Sequence, residues 1–433
     1  MIIISIDCGA SFIKASKFVD NIIVETIIEK TPSDNNPNKL EQSVEVIKDI
    51  ICRLSLGEKE VHIGFSNEMH GFVLADESGR PVLPYMSWQN ERAYNSFCDT
   101  TFLEEFRNSI DDKHFVNSGM PLKVGLPSVN LFCVLNAELK DYKGELYFYT
   151  LGDYYIRALS GSQPYMHITN AAGTGLYDLL NDCWNYEVIN QITINTSCRI
   201  VFPEIYINQK AIKISGDVDY YYYPALGDQQ AALLGAGVSS HRDLSLNFGT
   251  GAQISILSDS FEFSNKYQVR PYFNNLYLKT VPHIPSGRAL NVYFNFVKNI
   301  ICRFKEVSEE QIWEYINAEA EINDKQLMQI DMSFFTNSVT NNINGSISGI
   351  CENGLTIGNL FESVYAQMAE NIKEICVRLQ VDNVNQIVIS GGILRKNKLL
   401  REKVLSKFAE NIKIILAENE TAQGICKFIN TIM

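Results

Sequence analysis

The sequence predicts an α/β protein built from two related domains. Three observations lead there. The chain has 433 residues, more than one typical core accommodates and comfortable for two domains of about 200 each. Short apolar strands alternate with amphipathic helices at both ends of the chain, the pattern of layered α/β folds. One layout also occurs twice: "IISIDCGASFIKASKF" and "LSLNFGTGAQISIL" each run apolar strand, polar residue, glycine turn and second strand.

In chain order, a first strand runs into Asp7 and Gly9, and a return strand carries Lys14. Taken alone, this is either a surface hairpin or a phosphate-binding one, since Asp and Gly are ordinary turn formers. In the second case Gly9 lets the backbone approach a polyanion, Asp7 holds a hydrated Mg2+ and Lys14 supplies a counter-charge. The duplicate hairpin, together with an "SGG" turn before a helix, favours phosphate. "NIIVETIIEK" is a third strand, and "NKLEQSVEVIKDIICRL" places Leu40, Val44, Ile47, Ile51 and Leu54 on one helical face. "VHIGF" is a buried strand, and "GFVLADESGRPVLP" is a hairpin that turns between Asp76 and Arg80. The following stretch, to about residue 210, is long and less patterned. "DYYYYP" is a strand with two aromatic faces. After the second glycine hairpin, "NQIVISGGILRKNKLLREKVLSKF" reads as strand, turn and helix, and "NIKIIL" with "TAQGICKFI" adds another strand and helix.

Composition removes several function classes. A net charge of −13 disfavours nucleic-acid and anionic-membrane partners, because no basic surplus exists to neutralise phosphates. No apolar run approaches the ~18 residues needed to cross a bilayer. Met1 leads directly into a strand, so no secretory signal is expected. The ten cysteines are dispersed without zinc spacing and read as thiols in a reducing cytoplasm, the expected compartment.

Six stretches in order carry the chemistry: "IDCGASFIK", "SNEMHGFVLADESGRPV", "SWQNERA", "ALGDQQAALLGAG", "LNFGTGAQ" and "SGGILRKNKLL". The set resembles the FGGY carbohydrate kinases of the sugar-kinase/actin/Hsp70 superfamily over essentially the whole chain. "RPYFNNLYLKTVPHIPSGRALNVYFNFV" and "GDQQA" are most similar to its sedoheptulokinase subgroup. The resemblance implies two ribonuclease-H-like (actin-like ATPase) domains facing a cleft, residues 1–238 and 239–433. It also implies ATP and Mg2+ as cofactors, with phosphoryl transfer to a primary hydroxyl of a small-molecule ketose or polyol. Sedoheptulose is the first candidate, with xylulose and gluconate open. A homodimer is the expected assembly.

By this resemblance Asp228 is the catalytic carboxylate, orienting the acceptor hydroxyl and taking its proton. On the residues alone, Asp228 equally suits the N-cap of the helix that follows. Asp7 and Asp228 are the expected metal-side carboxylates. Gly9, Ser11 and Lys14 form the first phosphate hairpin, and Gly249, Thr250 and Gly251 the second. Gly391, Gly392 and Asn397 flank the adenosine. Glu68, Met69, His70, Trp88, Asn90, Arg92 and Gln229 are expected at the sugar, together with Asp228. Core packing is the competing role for His70 and Trp88.

The chain departs from the family pattern at named places. Ala10 lacks a hydroxyl that would bind phosphate, Glu68 stands for the usual glutamine and Asn90 for the usual aspartate. "IDMSFFTNSVTNNINGSISGI" lacks the family's Gly-Glu-Arg-X-Pro element, and the chain is short. These changes keep open a degenerate homologue that binds sugar or nucleotide without turnover. A chaperone-like or filament-forming ATPase of the same superfamily is the other alternative.

Overall fold

A computed structural model describes residues 1–33, 38–111, 113–208, 210–322, 327–340 and 342–433. Its first lobe begins with strands β1 (Ile2–Cys8), β2 (Phe12–Val19) and β3 (Ile22–Lys30), then helix α1 (Lys39–Leu54) and strand β4 (Glu60–Asn67). Leu40, Ile47, Ile51 and Leu54 of α1 are buried, as expected from its 3.6-residue period; Ile50 joins them, and Val44 is half-buried.

The less patterned stretch holds a third small sheet. Its strands are β5 (Val73–Ala75), β6 (Gly144–Tyr149) and β7 (Cys198–Val201), with helix α2 (Leu151–Ser160) following β6. Phe72, Phe106, Phe132, Phe148 and Trp184 build its core. The helix Pro127–Asn136 in this region buries every residue from Pro127 to Leu135, so its sequence carries no polar face to reveal it. The chain then rejoins the first sheet through β8 (Ile212–Ile214) and β9 (Asp219–Tyr222), and helix α3 (Asp228–Gly235) follows.

The second lobe comprises β10 (Asp243–Phe248), β11 (Gly251–Ser258), β12 (Gln268–Pro271), β13 (Tyr277–Pro285) and α4 (Gly287–Ile301). Helix α5 (Ile357–Arg378), β14 (Gln386–Ser390), α6 (Gly392–Lys396), α7 (Lys398–Leu405), β15 (Lys413–Leu416) and α8 (Glu420–Ile432) complete it in sequence. The helix expected after "SGG" is broken in two. Asn397 leaves helical geometry and its side chain caps α7 by accepting the N–H of Leu400.

The two large sheets repeat one plan. In the first, the order is β8-β9-β4-β1-β2-β3; in the second, β12-β13-β11-β10-β14-β15. In each lobe three antiparallel strands (β3-β2-β1 and β13-β11-β10) continue into two parallel ones (β4-β9 and β14-β15). This is the ribonuclease-H-like order, made twice from the duplicated hairpins. Among the described residues, no helix is long and apolar enough to cross a membrane.

One element crosses between the lobes. Helix α8, last in sequence, packs on β1 and β4, where Gly64 sits beneath Ile425 and Ile429. It also crosses α3 with backbone touching backbone. A Cβ at Gly424 would lie 1.8 Å from the Ala231 carbonyl oxygen, and one at Gly235 would lie 1.7 Å from that of Glu420. Only glycine fits at either place. Gly424→Val is therefore expected to force α8 off α3 and lower stability by about 3 kcal/mol or more, read as the urea midpoint. Gly216→Ala, whose added Cβ meets nothing closer than 3.8 Å, serves as the control and is expected to leave the midpoint unchanged.

Candidate functional site

The carboxyl ends of adjacent strands place two carboxylates together. Asp7 closes β1 opposite Ser66 of β4, while Gly227 pairs with the next residue of β4, Asn67, and Asp228 follows it. Clefts at the carboxyl ends of parallel strands are where α/β sheets bind ligands. Here Asp7, Gly9, Glu68, His70, Trp88, Lys123, Asp228, Gln229 and Arg270 line a cleft of about 800 Å³ between the lobes.

Asp7 accepts a hydrogen bond from the Ser66 hydroxyl at 2.6 Å. Desolvation raises its pKa against that bond and the Lys14 charge, and Glu420 adds to the rise. Lys14 pairs with Asp7 across the hairpin but donates its ammonium to the Asn419 side chain, 2.7 Å away. Asp228 accepts the N–H of Gln229 at 2.7 Å, and desolvation followed by the Asp7 charge lifts its carboxyl to about 7. A buried arginine answers it. Arg270 donates to Gln229 Oε1, to Gln268 Oε1 at 2.7 Å and to the Met69 sulfur at 3.1 Å. Burial lowers Arg270 to about 10, and the Asp228 charge works in the opposite direction. Gln229 is fixed further by donating to Ser255 and Thr280, each at 3.1 Å.

Behind this layer a polar network holds the strand ends. Thr169 Oγ1 accepts the Gly227 N–H at 3.1 Å, Asn170 donates to the Ala225 carbonyl at 2.9 Å, and Asn67 Oδ1 accepts from Asn170 and from the Gly152 N–H.

The expected sugar-side residues divide. Glu68, Met69, His70, Trp88 and Gln229 line the cleft. Glu68 accepts the Tyr85 hydroxyl at 2.7 Å and the Trp88 indole N–H at 3.1 Å, one on each oxygen. A carboxylate serves two such donors where an amide offers one oxygen, which accounts for glutamate in place of glutamine. His70 holds φ at +65°, donates Nδ1–H to the Gly173 carbonyl at 2.6 Å, and is kept neutral by burial beside Lys123 and Arg270. Nε2 is left as an acceptor.

Asn90 and Arg92, in contrast, point away. Asn90 Oδ1 accepts from the backbone and Nε of Arg92, and Arg92 reaches Glu138 at 2.6 Å. Gln89, Glu91 and Tyr94, around the 3₁₀ turn Arg92–Tyr94, line the cleft in their place. Asn397, expected beside the adenosine, is held within the second lobe. It is buried, and besides capping α7 it donates to Tyr365 and Asn317.

The second hairpin reaches the cleft through Asn247 and Gln253 of its two strands. Gly249, Thr250 and Gly251 stand at its tip, where the carbonyls of Gly249 and Thr250 accept the first N–H groups of α4. Asn247 occupies in β10 the position that Asp7 has in β1, and it too lines the cleft. Gly391, at φ +77°, lies so close to Phe248 that a Cβ would come within 2.4 Å of its carbonyl, whereas Gly392 faces open space. Ser11 and Thr250 are exposed at their respective tips. Sequence reasoning missed Lys123, Arg270 and His283, because no local pattern distinguishes them from surface or strand residues.

The comparisons bear on the family and the fold. Residues 2–235 match the model of the FGGY family of carbohydrate kinases, N-terminal domain. The chain belongs to that family. Among curated relatives, a glycerol kinase of Alteromonas mediterranea is 26% identical over 278 residues, covering 58% of this chain and 53% of that protein. A xylulose kinase of Staphylococcus xylosus is 24% identical over 227 residues, 49% of this chain and 44% of that protein. The chain thus spans about half the length of the curated relatives it matches. The fold matches that of a xylulose kinase from Rhodospirillum rubrum with a TM-score of 0.82 at 16% identity, over 99% of this chain and 89% of that one. A gluconate kinase from Lactobacillus acidophilus matches with a TM-score of 0.76 at 17% identity, over 99% and 88%.

The raised carboxyl of Asp228 has a consequence for stability. Its folded pKa of about 7 lies above the ordinary carboxylate value of 3.8, so ionisation costs folding energy as pH rises from 4 through 7. Asp228→Asn is expected to stabilise the fold at pH 8, on the order of 1–3 kcal/mol, with the gain vanishing near pH 4. Urea titrations of both proteins across that range check it.

Proposed function

We propose that this chain transfers the γ-phosphoryl group of MgATP to a primary hydroxyl of a sugar or polyol. The observation that carries the reading is the pairing of Asp7 and Asp228 at neighbouring strand ends in a cleft lined by Gly9 of the first glycine hairpin and by Asn247 and Gln253 of the strands that flank the second. Each residue then has a task that follows from its surroundings.

Asp228 faces the acceptor. With its carboxyl held near neutrality it takes the hydroxyl proton as the oxygen attacks, and Arg270, acting through Gln229 and through its own charge, fixes its position. Glu68, Trp88 and the free Nε2 of His70 offer directional partners and one flat apolar face to a polyol. The phosphates belong beside Gly9, Lys14 and the tip at Gly249, Thr250 and Gly251, with the adenosine near Gly391 and Gly392.

Magnesium fits on charge and on ligand number. Asp7 is repelled by Glu420 and in turn repels Asp228 in the cleft. Among the described residues there is no cluster of three or more His, Cys, Asp or Glu side chains arranged to hold an ion. One or two carboxylates plus waters and phosphate oxygens is the usual Mg2+ environment. When bound, the ion would neutralise charge on the phosphates.

Within this reading residues 1–238 carry the acceptor chemistry and residues 239–433 the nucleotide side, with α8 serving the first lobe. Closure of the lobes would exclude water as a competing acceptor. The likeness of residues 270–297 to sedoheptulokinases favours a seven-carbon ketose, and xylulose and gluconate are the other acceptors considered.

Asp228→Asn tests the assignment. The variant is expected to lower kcat by about 10²–10⁴-fold with KM nearly unchanged, while calorimetry still detects ATP and acceptor. Asparagine keeps the size of aspartate and an oxygen for the Gln229 N–H, so near-normal turnover would leave Asp228 a structural residue at the start of α3 and overturn the proposal.

A further inference from the structure

At its acceptor end the cleft meets a second cavity of about 880 Å³, and the two share Lys123, Pro282 and His283. The charged residues lining this second cavity are Lys123, Lys266 and Arg378; with them stands His283, and no Asp or Glu. The chain as a whole carries a net charge of −13, so this corner has the opposite sign to the rest of the molecule. Arg378 is engaged by Glu374 and by the carbonyls of Ser338 and Val339. Among the described residues Lys123 and Lys266 form no ion pair. Burial and the neighbouring Arg270 lower Lys123 to about 8, and no carboxylate counters them.

The backbone directs His283 into this corner. Pairing between β11 and β13 slips between Ala252 and Ile254, and His283 takes φ +58°. Ser338 secures the irregularity: its hydroxyl donates to the Pro282 carbonyl at 2.5 Å and its N–H to the His283 carbonyl at 3.2 Å. Bulges beside sites re-aim side chains, and a left-handed non-glycine residue persists only where its surroundings hold it. His70, also left-handed, faces the same cluster from the first lobe. Around Asp7 and Lys14, by contrast, lies a different cavity, so the phosphate end does not account for these cations.

We propose that Lys123 and His283 form an anion subsite for the acceptor, binding a carboxylate or phosphate monoester on the sugar while its hydroxyl chain runs back to Asp228. The inference rests on the kinase reading and revises its acceptor: against the neutral seven-carbon ketose that the likeness of residues 270–297 suggests, it ranks a sugar acid or sugar phosphate first. An unpaired cation in a partly desolvated pocket is costly, and an anionic ligand is what removes that cost.

The test is ADP release over five- and six-carbon aldonates, xylulose 5-phosphate, sedoheptulose, xylulose and glycerol. The best kcat/KM is expected for an anionic acceptor, and the aldonate and phosphate arms say which anion it carries. Lys123→Gln is expected to lower the preference for anionic over neutral acceptors by about ten- to a hundredfold, chiefly through KM. His283→Asn, which keeps the left-handed backbone, is expected to lower it in the same direction. A neutral sugar as best acceptor, with its ratio to the acids changed by less than about threefold in Lys123→Gln, would overturn the subsite and leave the kinase reading standing. Calorimetric titration of the same acids into wild type and Lys123→Gln covers a chain that turns over nothing. Binding lost in the variant would support the subsite although the kinase reading had failed, and no binding to wild type would remove it.

Discussion

The contact between Gly235 and Gly424 is the constraint on which the arrangement depends. Two helices from opposite ends of the second half of the chain meet there at backbone distance, and each begins at the cleft. One starts with Asp228. The other starts at Glu420, beside Asn419, which takes up the Lys14 ammonium. Widening that crossing by one side chain would move both helix starts and loosen α8 from Gly64 of β4. A site assembled from β1, β4, α3 and α8 therefore keeps its geometry only while the glycines remain.

Desolvation is the largest cause of every shift in the cleft, and the charges add to it. Among the carboxylates Asp7 further raises Asp228 and Glu420 further raises Asp7. Among the bases Arg270 further lowers Lys123, and Lys123 and Arg270 further lower His70 and His283. Each group is held in a state that a ligand of opposite charge would relieve. Such pairs of environments, pushing acids up and bases down, are how one cleft prepares both a proton acceptor and a binding face.

Much of this was legible in the sequence because it rests on short-range rules. The glycine hairpins, the stripe of α1 and the alternation of strands and helices follow from periodicity and turn chemistry, and they led to the two-lobe fold. Asp7, Glu68, His70 and Trp88 lie within quoted motifs and reach the cleft. Asn90 and Arg92 do not, since which residues of a 3₁₀ turn face inward depends on the packing beneath it. The third sheet was hidden because its strands are as short as three residues and one of the helices beside it, Pro127–Asn136, is buried nearly all round. Arg270, Lys123 and His283 come together only through tertiary contacts, and a bulge in pairing leaves no mark in composition. The return of α8 to the first sheet was likewise invisible, being a question of which lobe offers it a glycine.

The most direct measurement is the structure of a complex with a non-hydrolysable ATP analogue and the best acceptor from the ADP-release panel. The account predicts the acceptor's primary hydroxyl within about 3 Å of the Asp228 carboxylate and in line with the γ-phosphorus. An acceptor oxygen held elsewhere, or a nucleotide lying outside the space between Gly9, Gly249 and Gly391, would contradict it.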